Sequence, residues 1–241
     1  MKRDSHLIEV DGIGIQLVRK KVRNLRISIH PPRGSVRVAA PLRFNEEIIR
    51  RAVTSKLGWI RRKQAAVATQ VPQSASEFVS GENHYYAGRP YLLEVAEHNG
   101  PARVSLHNDT TLSLLVRPGT SREKRSAAMQ AWYRNRLYAH LPGLTGKWEA
   151  QIGINASEVR IRRMKTRWGS CNIRTRRIWL NLELAKKSPA CLEYVFVHEL
   201  IHLLEPGHGE RFMRLMGTFL PSWRALRAEL NQRAAFQEPG G

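Results

Sequence analysis

His198 and His202 stand four residues apart in the run Phe196-Val197-His198-Glu199-Leu200-Ile201-His202. On an α-helix, four residues turn through about 40° and rise roughly 6 Å, so both imidazoles leave one face and can reach one ion. Glu199 follows His198 directly, where a carboxylate can take a proton from water activated by that ion. Glu205 lies on the same face. Three ligands in a row on a straight helix span roughly 10 Å, however, and cannot all come within ~2 Å of one ion. Pro206 cannot continue the helix and Gly207 permits a turn, so the chain can fold back and bring His208 to the metal from another direction. Three histidines and one water make the open tetrahedral site of a catalytic zinc. The spacing thus predicts a Zn2+ centre with His198, His202 and His208 as ligands and Glu199 as general base. The competing reading is a core helix whose two histidines are merely hydrogen-bonded. The apolar flanks Phe196, Val197, Leu200 and Ile201 suit a buried helix in both cases.

Other segments carry a resemblance. They are Arg167-Trp168-Gly169-Ser170-Cys171, Leu180-Asn181-Leu182-Glu183-Leu184, Tyr194-Val195 leading into His198, and His208 with Phe212. With these, the chain resembles the YgjP-like (WLM-related) metallopeptidase family of bacteria over most of its length. The resemblance implies a zincin-like fold, a divalent metal and hydrolysis, with the three histidines as ligands and Glu199 as base. Arg167, Trp168 and Asn181, within the same segments, are candidates to bind substrate. Oxyanion stabilisation is open between Arg167 and Tyr194.

Such a site needs elements to hold it. Ser188 followed by Pro189 is a strong helix start, and the metal helix is expected to run to about Leu204. Cys191 shares the face of His198 but sits roughly 10 Å away, so a packed thiol is expected there rather than a ligand. Strands are expected at Val159–Ile161, Trp168–Ile173 and Ile178–Leu184. In zincin-like folds an edge strand beside the metal pairs with extended peptide, and Trp168–Ile173 or Ile178–Leu182 could be that edge. No acid lies between Glu158 and Glu183, while Arg160, Arg162, Arg163, Lys165, Arg167, Arg174, Arg176 and Arg177 fall within that interval. A cleft lined by these would attract an acidic or phosphorylated substrate; the alternative is a solvated strand surface. After His208, helices are expected around Phe212–Phe219 and beyond Pro221, anchored by Trp223, Leu226 and Leu230.

Upstream, alternating apolar residues predict strands within 7–40, punctuated by Gly12, Pro31-Pro32 and Gly34. Asn45 is a plausible cap for one helix reaching about Ala68, with a basic outer face from Arg50 to Lys63. The small polar residues of 69–80 read as a loop or linker. Short strands return at Tyr91–Val95, Arg103–Leu106 and Leu112–Val116, with turns at Asn99-Gly100 and Asn108-Asp109. His84, His98 and His107 are isolated and read as surface histidines. Thr120-Ser121-Arg122-Glu123 is a capping box, opening a helix to about His140 that Pro142 restarts and Gly153 stops. No internal repeat is evident.

The expected fold class is α+β, with a β-rich N-terminal domain over 1–118 and a zincin-like catalytic domain over 119–241. No apolar run reaches ~18 residues and no apolar segment follows Met1-Lys2-Arg3, so neither a membrane span nor a signal peptide is read. Two cysteines make no disulfide framework, and a reducing cytoplasm is the expected setting. The 40 Lys and Arg against 20 acids give a net charge of +20, which favours anionic partners such as nucleic acid, nucleotides or acidic proteins. The site suits a metallopeptidase acting on peptide or protein. The alternatives are a metal-dependent nucleoside triphosphate phosphohydrolase and a nucleic-acid-associated binding protein. An intact Glu199 weighs against the last, because a purely structural zinc needs no base.

Overall fold

A computed structural model describes residues 5–30, 34–68 and 76–232. The expected Pro31-Pro32 break, the start of the chain and the linker residues 69–75 lie outside these. The protein is mixed α+β and divides into two compact units, Met1–Ser74 and Ala75–Gly241.

In the first unit, β1 (Ser5–Val10) and β2 (Ile13–Lys20) form a hairpin, followed by β3 (Arg26–His30) and β4 (Ser35–Pro41). The sheet order is β1-β2-β4-β3, with β2 and β4 parallel and the outer pairs antiparallel. Period-2 alternation puts Ile15, Leu17, Val36, Val38 and Ala40 into the core. They pack with Ile49, Val53 and Ile60 from two helices, α1 (Glu46–Thr54) and α2 (Leu57–Ala68). Asn45 caps α1 through its side-chain oxygen on the Ile48 N–H at 2.9 Å. The single helix expected to Ala68 is broken at Ser55-Lys56, where the Ser55 hydroxyl bonds the Ala52 carbonyl. Ile48 is exposed.

The second unit opens with β5 (Asn83–Tyr86), β6 (Arg89–Glu97), β7 (Arg103–Leu106) and β8 (Thr111–Val116). Their order, β5-β6-β8-β7, repeats that of the first sheet pair for pair: hairpin, parallel pair, antiparallel pair. Both hairpins close on two residues with positive φ, Asp11-Gly12 and Ala87-Gly88, as a type I′ turn requires. The absence of an internal repeat is therefore corrected at the level of topology. The sequence hides it because alternation constrains residue class and not identity, and because β5 begins with the polar Asn83-His84 and shows no apolar run.

Helix α3 (Arg122–Ile152) runs for 31 residues to Gly153, whose φ of 73° closes it in the left-handed conformation. Its cap is Ser121, one residue after the Thr120 that opens the expected box. Pro142 lies inside and does not restart it. Proline removes one backbone hydrogen bond, while buried Leu137, Leu141 and Trp148 hold both sides to the core. The β5–β8 sheet and α3 share one apolar cluster with everything downstream, including Leu93, Leu114, Trp132, Leu180 and Phe196. Residue 118, the expected domain boundary, consequently falls inside the second unit, and the compact division comes at 74/75 instead.

The remaining elements are β9 (Glu158–Arg162), β10 (Gly169–Asn172), β11 (Arg177–Asn181), a 3-10 turn at Leu182–Lys186, and α4 (Pro189–Ile201), α5 (Glu210–Phe219) and α6 (Trp223–Gln232). The third strand ends at Asn181 and not at Leu184, because the Asn181 side chain caps the 3-10 turn at Glu183 N. The sheet order is β10-β11-β9. Of the two candidate edge strands, β10 is the edge and β11 is central. Among the described residues, no helix is long and apolar enough to cross a membrane.

Candidate active site

Helix α4 begins as its sequence dictates: Ser188 accepts the Cys191 N–H and Pro189 occupies the first turn. It is buried on nearly all sides, with Phe196, Val197, Leu200 and Ile201 at 0% exposure. His198 and Glu199 lie in its last turn. The helix stops at Ile201, three residues short of expectation, and His202 is its C-cap. Turns through Leu204 and the Pro206-Gly207 bend then carry His208 back, so His198, His202 and His208 each offer a nitrogen and all three lie within 4.8 Å of one another.

The geometry fits a tetrahedral cation. Nε2 of His198 and Nε2 of His208 are 3.1 Å apart. Two nitrogens bound at 2.0–2.1 Å to one zinc would stand about 3.3 Å apart. Nδ1 of His202 lies 3.1 Å from the Glu205 carbonyl oxygen, which can only accept, so Nδ1 carries the proton and Nε2 keeps a free lone pair. Glu205 thus orients a histidine through its backbone, while its carboxylate reaches toward Arg211 at 3.7 Å. Burial, then the neighbouring His202 and His208, pushes the His198 imidazole down to about 3, so it is neutral and available as a ligand. Burial lowers His202 as well, against the bond to Glu205. Phe212, 1% exposed, packs its ring 4.9, 4.8 and 4.7 Å from those of His198, His202 and His208. The three rings share this aromatic floor.

Glu199 is 6% exposed and lies against Gly169 on β10. A Cβ at residue 169 would stand 2.6 Å from its Oε1 and 2.7 Å from its Cγ, closer than real Cβ atoms come, so only glycine leaves room for the carboxyl. Burial raises that carboxyl to about 8, opposed by the charge of Arg167 and a hydrogen bond from the Cys171 backbone. A bound cation would favour the ionised form.

A cavity of ≈ 280 Å³ opens beside these groups, lined by Arg167, Trp168, Gly169, Tyr194, His198 and Glu199 together with α6 residues Arg227, Leu230 and Asn231. Arg167 and Trp168, two of the three expected substrate residues, border it. Lys187, itself 6% exposed, places its Nζ over the Trp168 ring, 5.3 Å from the centroid. Asn181 does not border it and is corrected to a positioning residue. It is fully buried, its amide N donates to the Met164 and Arg167 carbonyls, and its Oδ1 accepts from Met164 N and Glu183 N. An asparagine has two donors and two lone pairs, so nothing is left for substrate. It pins the loop that delivers Arg167 and Trp168.

The expected arginine-lined cleft is mostly structural. Arg160 and Arg177 pair with Glu158, Arg163 with Glu183, and Arg176 donates to the Asn155 carbonyl. Only Arg167 of that series borders the cavity. Cys191 is buried at 0% exposure as a packed thiol, 3.9 Å from the Leu226 carbonyl. His84 is not a surface residue: it is buried, stacks on Phe78 and lies 3.2 Å from Glu82. Sequence reasoning missed Arg227 and Asn231. The one available signal was that 227, 230 and 231 share a helical face.

Comparison with known proteins adds identity. Curated proteins give no match. Two crystal structures of metallopeptidase zymogens show limited similarity. Abylysin of Pyrococcus abyssi is 19% identical, covering 39% of this chain and 93% of its own, at a TM-score of 0.36. Jannalysin of Methanocaldococcus jannaschii is 21% identical, covering 39% and 88%, at 0.35. The sequence profile described as YgjP-like, metallopeptidase domain, matches residues 23–233. That span takes in every residue of the histidine cluster and its cleft, and the chain belongs to the YgjP-like metallopeptidase family.

Proposed function

We propose that the chain is a zinc-dependent peptidase in which His198, His202 and His208 hold the metal and Glu199 is the general base. The observation that carries this is the convergence of three imidazole nitrogens within 4.8 Å, beside a buried carboxyl at the wall of an open cavity. Zinc, once bound, would lower the pKa of a coordinated water from about 15.7 to near 7 and polarise the attacked carbonyl. The chain's own groups do the rest. Glu199 accepts the water proton and returns it to the leaving amine. Gly169 gives the carboxyl its place. An extended peptide would add to the unpaired edge of β10, with backbone hydrogen bonds supplying affinity and the cavity reading side chains. The zincin-like architecture belongs to this proposal, as does a cytoplasmic setting, which two free cysteines suit.

The test is metal content together with turnover. The chain should bind about one zinc, lost on chelation, and His208→Ala should weaken binding far more than Glu205→Ala. Glu199→Gln should retain metal while losing at least ~10²-fold in hydrolysis of denatured protein, the scale of a lost general base. Wild-type turnover by Glu199→Gln would remove the mechanism. Metal content unchanged in His198→Ala/His202→Ala would remove the site.

A further inference from the structure

Helix α6 packs on the core and borders the cavity along one face, since Trp223, Arg227 and Leu230 stand at i, i+4 and i+7. Trp223 and Leu230 are buried at 5% and 2% exposure, and Glu229 fixes the helix to α4 through the Ser188 hydroxyl at 2.8 Å. Arg227, Leu230 and Asn231, at i, i+3 and i+4, then form one wall of the cavity. The same cavity is lined by Arg167-Trp168-Gly169 at the entry to β10 and by His198 and Glu199 of α4. Two guanidinium groups therefore border one cavity.

Neither guanidinium has an ion pair or hydrogen bond among the described residues, in contrast to Arg160, Arg163, Arg176 and Arg177 of the same unit. Both arginines are solvent-exposed. Among the described residues Glu199 is the one acid lining the cavity, and it is buried against Gly169. Both arginines share the cavity lining with His198 and Glu199. The cavity mouth is thus cationic, with the Asn231 amide beside it. A planar five-donor guanidinium is suited to a carboxylate, which it can hold through two parallel hydrogen bonds.

We propose that Arg227, with Arg167 of the same cavity, anchors a substrate carboxylate, so that the enzyme selects peptides carrying one beside the scissile bond. The carboxylate belongs to an Asp or Glu side chain or to a free C-terminus. This rests on the peptidase reading above and adds its substrate class. Arg227 acts by holding substrate, and takes no proton.

The test uses the zinc-loaded full chain on a peptide library derived from a digested proteome, with cleavage sites read by mass spectrometry. The expected profile is enriched at one fixed position near the cut in acidic residues or in chain ends. Matched peptides, Glu against Gln at that position and free against amidated C-terminus, then distinguish the two sources. Arg227→Gln should lower the preference for the carboxylate-bearing peptide by about tenfold through KM, a charge-assisted bond weakened by exposure. Arg227→Lys should recover part of it, and Arg103→Gln, outside the cavity, should leave the preference intact. Anisotropy of the same labelled peptides on zinc-loaded Glu199→Gln gives a readout independent of turnover, with the same tenfold loss expected for Arg227→Gln.

Cleavage with no carboxylate preference, or a preference that Arg227→Gln does not move, overturns the anchor and leaves the peptidase reading standing. If no peptide is cut, that reading fails, and the anisotropy arm alone decides whether the arginines hold a carboxylate. A nucleoside triphosphate that displaces the peptide and is hydrolysed assigns the arginines to phosphate and overturns the proposal.

Discussion

Glu199 and Gly169 behave as one unit. The glycine is demanded by space alone, since its backbone is not in the left-handed region and a Cβ would stand 2.6 Å from Oε1. Gly169→Ala should displace the carboxyl without touching a histidine. The expected outcome is metal content near one per chain with hydrolysis reduced at least ~10²-fold, as for loss of the base itself. Loss of metal in step with activity would show a wider collapse. Titration gives a second prediction. Burial raises Glu199 from 4.5 to about 8, so its favourable contribution is complete below 4.5 and lost as pH rises through 8. Burial and its histidine neighbours lower His198 from 6.5 to about 3, so its contribution is complete above 6.5. Between about 6.5 and 8 the His198 contribution is complete while that of Glu199 is changing, and the metal-free protein should lose thermal stability as pH rises there. Glu199→Gln should flatten that slope, and a flat wild-type profile would refute the shift.

At the scale of elements, legibility followed the strength of local signals. Asn45, Ser121, Ser188-Pro189 and Gly153 mark helix ends because each satisfies otherwise unpaired backbone groups by itself. The ends set by tertiary contacts were not legible. Helix α4 stops at Ile201 although Leu203 and Leu204 would suit a longer helix, and β11 stops at Asn181 although Leu182 and Leu184 continue its apolar run. Both stops serve the site: one turns His202 and His208 together, the other lets Asn181 hold the 164–167 loop. The histidine cluster itself was legible because two of its members are local and a proline and glycine force the third back. Arg227 was not, since it arrives from a helix that meets α4 only through packing. Asn181→Ala leaves two carbonyls and two N–H groups without their partner. It should cost about 1–3 kcal/mol, the scale of buried unsatisfied groups, and raise KM through a loosened Arg167-Trp168 loop. A thermal melt and a KM measurement check both parts, and an unchanged KM would free that loop from substrate binding.

The whole chain carries two four-stranded sheets of identical order, with one apolar cluster confined to the first unit and another to the second. Every group assigned to metal, base or substrate lies in the second. The excess charge is distributed differently: residues 1–74 hold 16 Lys and Arg against 5 acids, a greater share than their length. A fragment beginning at Ala75 should therefore fold, bind about one zinc and hydrolyse peptides. Circular dichroism and metal analysis of that fragment decide the matter. A disordered fragment would mean that the two clusters are not independently stable.

The short path from His202 to His208 has one more effect. It joins the end of α4 to the start of α5, whose first turn has Gly209 at its cap and no side chain bonded there. An ion held by His198, His202 and His208 would rivet that junction, and removing it would leave the bend of Pro206, Gly207 and Gly209 to the Glu205 contacts with His202 and Arg211 and the packing of Phe212. Arg211 stands just beyond, exposed. Trypsin should cut after Arg211 quickly in chelator-treated protein and slowly in zinc-loaded protein. The chain would then carry its own gauge of metal occupancy, readable on a gel without any substrate.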